Sequence, residues 1–159
     1  MTKAELLRRL AAEKARIDAA LAKLTVEQCV LANTIGAWSV SDLLAHFVVH
    51  EQRALVELRS AVRGERPNIP MGDNDAFNLG AVLFSRAQPF QAVKATWDSS
   101  FDEMVRNVQS LDESDFQPSS RIVELLDDTI DGALANNSYE HYAEHRGDLD
   151  ALIAKVDAP

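Results

Sequence analysis

A chain of 159 residues can build one domain with a substantial core but not two, so residues 1–159 are read as a single domain. Its composition, 47% hydrophobic and 26% charged, excludes disordered and fibrous classes, and a net charge of −9 with dispersed basic residues argues against nucleic acid as a partner. No apolar run reaches membrane-spanning length, the first five residues lack a signal-peptide layout, and Cys29 stands alone, so the expectation is a cytoplasmic protein with no membrane partner, no internal disulfide and no cysteine-rich metal site.

The chain opens with Thr2 and Glu5 in capping-box spacing, followed by Leu6, Leu10, Ile17, Leu21 and Leu24 on one stripe, which predicts a first helix to Leu24. A polar stretch leads to Gly36. Ser39, with Asp42 three residues on, then caps a second helix from about Val40 to about Arg63 that turns Leu43, Leu44, Phe47, Leu55 and Leu58 inward. Gly64, Pro67, Pro70 and Gly72 spell a loop, and residues 74–86 read as a short, poorly capped helix or an irregular lid. Pro89 suits the first turn of a third long helix, whose Phe90, Val93, Trp97, Phe101, Met104, Val105 and Val108 recur at helical spacing. A short helical turn over 121–128 precedes a final helix from about Asp131 to Val156, with Leu134, Tyr142, His145, Leu149, Leu152 and Ile153 facing inward. Strand-period segments and internal repeats are absent, so the predicted class is all-α: a four-helix bundle with short extra helices in its crossover loops.

All four histidines fall into two i,i+4 pairs, His46/His50 and His141/His145, each inside a predicted helix. That spacing puts both imidazoles of a pair on one face, and two such helices side by side would converge four nitrogens in a bundle core. On helix two the apolar centre passes through Val40, Glu51 and Leu58, so Glu51 is a carboxylate in an apolar stripe: it needs a cation, a metal or water, or it is wet where the bundle splays. Asn137, His141 and Asp148 follow one edge of the final helix, where Asn137 and Asp148 could orient a ligating imidazole or simply face solvent. Tyr142 follows His141, so the zinc-protease His-Glu-x-x-His pattern is missing, as are glycine-rich phosphate loops and nucleophile elbows. Cys29 reads as an inert buried thiol, and Trp38 and Trp97 as core.

Two segments resemble a known family. Trp38 to His46 (WSVSDLLAH) is similar to the start of helix two in the DinB/YfiT-like superfamily, and Asn137 to His145 (NSYEHYAEH) resembles the helix-four signature of its ClbS/DfsB branch. The resemblance implies an up-down-down-up four-helix bundle, often dimeric, so a homodimer is expected. It also implies a divalent metal, zinc or nickel being the expected ions, held by His46, His141 and His145. His50 lies outside that pattern and is assigned with Glu51 to catalysis, as a proton shuttle, extra ligand or second-layer partner. Superfamily relatives include metal-dependent thiol transferases, and the branch namesake is a self-protection hydrolase. The expected function is therefore a hydrolase or thiol transferase acting on a small reactive electrophile. Two rivals stand beside it: a metal-free bundle that sequesters a small molecule against Glu51, Tyr139 and Tyr142, and a purely structural role for the histidines.

Overall fold

The computed structural model describes residues 1–69 and 74–156, and every regular element among them is a helix. Four long ones, α1 (Lys3–Leu21), α3 (Val40–Val62), α5 (Phe90–Ser110) and α8 (Tyr139–Val156), are joined through α2 (Val26–Val30), α4 (Asn74–Arg86), α6 (Arg121–Leu126), α7 (Ile130–Ala135) and a 3₁₀ turn at Glu113–Phe116. Pro70 and Gly72 of the predicted loop lie outside the described residues. None of the helices is long and apolar enough to cross a membrane.

The caps form as their side-chain chemistry demands. Thr2 accepts the Glu5 N–H while the Glu5 carboxylate takes the Thr2 N–H at 2.9 Å, and Ser39 and Asp42 repeat the exchange at the start of α3. A third such box, Thr25 with Gln28, starts α2 inside the stretch read only as polar. The inward stripes follow the helical period: Leu6, Leu10, Ile17, Leu43, Leu44, Phe47, Leu55, Val93, Trp97, Met104 and Val108 are all fully buried.

The final helix is not continuous. It breaks over residues 136–138 into α7 and α8: the Asn137 and Ser138 N–H groups tighten to i→i−3 bonds on the Leu134 and Ala135 carbonyls, the Ser138 hydroxyl donates to the Leu134 carbonyl at 2.6 Å, and the buried Ser138 carbonyl starts the next helix by accepting the Tyr142 N–H. Leu134 and Tyr139 pack in one core cluster with Leu6, Leu55 and Met104, while Tyr142, Leu149 and Leu152 pack in another with Phe47 and Trp97.

Segment 74–86 is an ordered helix fastened to the start of α3. Ser85 Oγ donates to Asp42 Oδ1, and Arg86 Nη2 reaches Asp42 Oδ2 at 3.2 Å. Asp42 is fully buried; burial alone would raise its pKa, but the bonds from Ser85, the Ser39 backbone and Arg86 outweigh it and hold the carboxyl below its ordinary value. Asp42→Ala strands the buried Ser39 N–H and cuts the tie to Ser85 and Arg86, and should lower the unfolding free energy by about 2–4 kcal/mol, read by urea denaturation.

Candidate metal centre

One turn above Asp42 on α3, His46 and His50 point toward α8, where His141 and His145 face them. The four rings form a closed circuit of contacts: centroids are 4.4 Å apart for His46/His50, 4.5 Å for His50/His141, 4.9 Å for His141/His145 and 5.5 Å for His145/His46. Both predicted pairs thus converge. Among the described residues, one nitrogen from each of His46, His50 and His141 lies within 4.8 Å of the other two. The resemblance put His145 in the third place. The geometry gathers His50 there, with His145 one step further out.

The outward nitrogens explain the inward ones. His46 Nδ1 lies 2.9 Å from Asn78 Oδ1, His50 Nδ1 3.1 Å from Asn137 Oδ1, and His145 Nδ1 3.0 Å from Asp148 Oδ2. Each oxygen is an acceptor, so each ring carries its proton on Nδ1 and leaves Nε2 as a bare lone pair, the arrangement that prepares an imidazole for a metal. His141 differs, since its Nδ1 is 3.8 Å from Glu144 and its Nε2 sits 2.7 Å from His46 Nε2. Two lone pairs cannot face each other at that separation without a proton or a cation between them. In the metal-free chain the His141 proton fills the gap; an ion would displace it. A tetrahedral ion spaces its nitrogen ligands roughly 3.3 Å apart, a value between 2.7 Å and 4.8 Å, so the donor set fits a divalent metal that accepts nitrogen.

The surroundings disfavour the charged form of His46, His50 and His141. Burial, then the neighbouring His50 and His145, lowers His46 to about 4, against a smaller upward pull from Asn78. Burial followed by the three other imidazoles lowers His141 to about 3, and burial also lowers His50. Phe47 packs 5.7 Å from His141 and 5.8 Å from His145, and the Trp38 ring lies 4.9 Å from His46, so the cluster has apolar walls.

Glu51 sits elsewhere. It is fully buried about 100° around α3 from His50, where its Oε1 accepts Trp97 Nε1–H at 2.8 Å and the Tyr142 hydroxyl, while Oε2 accepts no hydrogen bond among the described residues. Lys14 Nζ lies 3.9 Å over the Trp97 ring, so α1, α3, α5 and α8 meet around one carboxylate. Burial pushes Glu51 up to about 7 against the pull of Ser100, Tyr142, Trp97 and the Lys14 charge. Because Glu51 follows His50 and Tyr142 follows His141, this node holds the two ligand-bearing helices in register from behind. Tyr139 is also away from the histidines: its hydroxyl donates to Asp131 at 2.5 Å, and burial with that carboxylate raises its pKa. Asn137 and Asp148 do reach imidazoles, but Asn137 does so from the turn before α8 rather than from that helix's edge.

Asn78 and Trp38 were not foreseen as parts of the site. Asn78 is 32 residues from His46 in sequence, in a segment with no strong signal, so only the docking of α4 reveals it. A search of curated proteins and a search of solved structures each returned no match. The family model described as DinB superfamily matches residues 9–148, a span that takes in all four histidines and their oxygen partners. The chain belongs to the DinB superfamily.

Proposed function

We propose that this chain is a single-domain, metal-dependent DinB-type enzyme, with its long helices in the up-down-down-up order, acting as a hydrolase or thiol transferase on a small reactive electrophile. The observation that carries the reading is the set of three nitrogens within 4.8 Å, with His46 and His50 each oriented by an oxygen on Nδ1. A divalent ion such as zinc or nickel supplies Lewis acidity, which makes water or a thiol nucleophilic near neutral pH.

The protein's part is to hold, orient and exclude. His46, His50 and His141 offer neutral nitrogens because burial suppresses their protonation. Phe47 and Trp38 keep bulk water from the rings. His145, held by Asp148, stands beside the cluster with a free Nε2, the position for a group that takes the proton from the nucleophile. Glu51 positions rather than reacts.

The resemblance of Asn137 to His145 to the ClbS/DfsB signature favours a self-protection or detoxification role, in the cytoplasm and as a homodimer. The rival, a metal-free sequestering bundle, predicts ligand binding without turnover.

Elemental analysis of purified, untagged protein tests the reading. About one equivalent of divalent metal is expected, together with a division of labour: His50→Ala should weaken metal binding at least about tenfold, whereas His145→Ala should keep the metal and lose turnover. Metal loss in His145→Ala with retention in His50→Ala would return His145 to the ligand set. Protein that takes up neither zinc nor nickel would sink the metalloenzyme reading.

A further inference from the structure

Between the turn leading into α3 and the outer face of α4 lies a cavity of about 500 Å³, lined among others by Asn33, Trp38, Asn78, Leu79, Val82 and Arg86. Two of these residues belong to the metal centre's wall: Trp38 packs on the His46 ring at 4.9 Å and Asn78 holds its Nδ1 at 2.9 Å. The cavity therefore meets the outer, Nδ1 side of the His46 ring, and its size suits a small molecule.

Its chemistry is polarised. Trp38, Leu79 and Val82 give an apolar wall, and Arg86 is the one charged residue among the lining, which holds no carboxylate of its own, on a chain of net charge −9. The Arg86 side chain is 55% exposed and, among the described residues, bonds through Nη2 to the buried Asp42, which fixes the arm while other guanidinium N–H groups remain for a ligand. The opposite wall is rigid: Ile35 and Trp38 exchange backbone hydrogen bonds at 2.9 Å, and Asn33 takes the left-handed conformation that asparagine tolerates. From Asn78 to Arg86 is two turns of α4, roughly 12 Å.

We infer that this cavity is a binding pocket that selects a small carboxylate with a flat apolar body: the carboxylate on Arg86, the body along Trp38, and the far end at Asn78, on the outer, Nδ1 side of His46. The site does not rest on the metal-centre reading.

The test is a titration of 2-naphthoate and of its neutral counterpart 2-naphthamide, followed by NMR at the Trp38 indole N–H, on metal-free and on zinc-loaded protein. The acid is expected to bind metal-free protein at least about tenfold more tightly than the amide, and Arg86→Gln to remove that preference while Arg86→Lys keeps part of it. Because Arg86→Gln also unpairs Asp42, Leu79→Glu provides a second variant at a 58% exposed position, where an added negative charge should repel the acid and spare the amide. Equal binding of acid and amide, a preference that survives both Arg86→Gln and Leu79→Glu, or a preference seen only with zinc bound would each overturn the inference. Arg86-dependent binding by protein that takes up no metal would leave the carboxylate site standing and remove the metal reading alone.

Discussion

Adding zinc or nickel at about 100 times the dissociation constant is expected to stabilise the folded chain by about 2.7 kcal/mol, an increase in Tm of roughly 5–10 °C for a chain of this size. The His46→Ala/His141→Ala variant should show no such increase, since it removes both members of the 2.7 Å nitrogen pair. Comparing each protein with and without metal cancels the packing lost with the buried rings. Calorimetric scans of both proteins decide the matter: a similar rise in the double variant, or none in the wild type with either metal, would sink the site.

The metal-free protein should also carry a pH signature. His46 and His141 ionise at about 4 and about 3 when folded, below the ordinary 6.5, so the unfolded chain binds more protons across the interval between. Their contribution to stability is whole above pH 6.5 and declines as pH falls toward 4. A metal bound to these nitrogens should persist below pH 6.5, because few protons compete for them.

The second large effect belongs to Glu51, and its sign is the reverse. With its folded pKa raised from 4.5 to about 7, the native state holds the extra proton between those values. Glu51 therefore destabilises the fold above pH 7, by about 3 kcal/mol if the whole shift is expressed, and that penalty fades as pH falls to 4.5. Glu51→Gln keeps an acceptor for Trp97 and Tyr142 without the charge, so it should gain about 1–3 kcal/mol at pH 8 and almost nothing at pH 4.5. Glu51→Ala instead strands the Trp97 N–H and the Tyr142 hydroxyl beside a cavity and should cost about 3–5 kcal/mol. Urea unfolding at both pH values separates these outcomes; a Glu51→Gln protein less stable than wild type at pH 8 would show that the ionised carboxylate is the stabilising form.

Several of these features were legible in residue spacing. The i,i+4 histidines announced two like faces, and Glu51 stood out in an apolar stripe whose other members, Val40 and Leu58, are buried as expected. The break at residues 136–138 stayed hidden because Leu134, Ser138 and Tyr142 keep a four-residue interval straight through it, and the i→i−3 bonds of Asn137 and Ser138 that make the turn leave no trace in that spacing. Segment 74–86 looked weak for a related reason: its order comes from Ser85 and Arg86 reaching Asp42 more than 40 residues away, which local periodicity does not register.

By itself the sequence determined the long helices α1, α3 and α5, the caps at Thr2 and Ser39 and the buried stripes behind them, and put the histidines where two faces could meet, since these depend on contacts within a few residues. Which nitrogens come together, that Asn78 and Asn137 orient them, and that Glu51 lies behind the site rather than in it were decided by tertiary structure alone. The reason is physical: a helical period specifies which side of a helix faces inward, but not the rotation and register at which it meets a neighbour. Those are set by the packing of α3 on α4, α5 and α8, and a shift of one residue there would carry each imidazole about 100° around its helix and away from its partners.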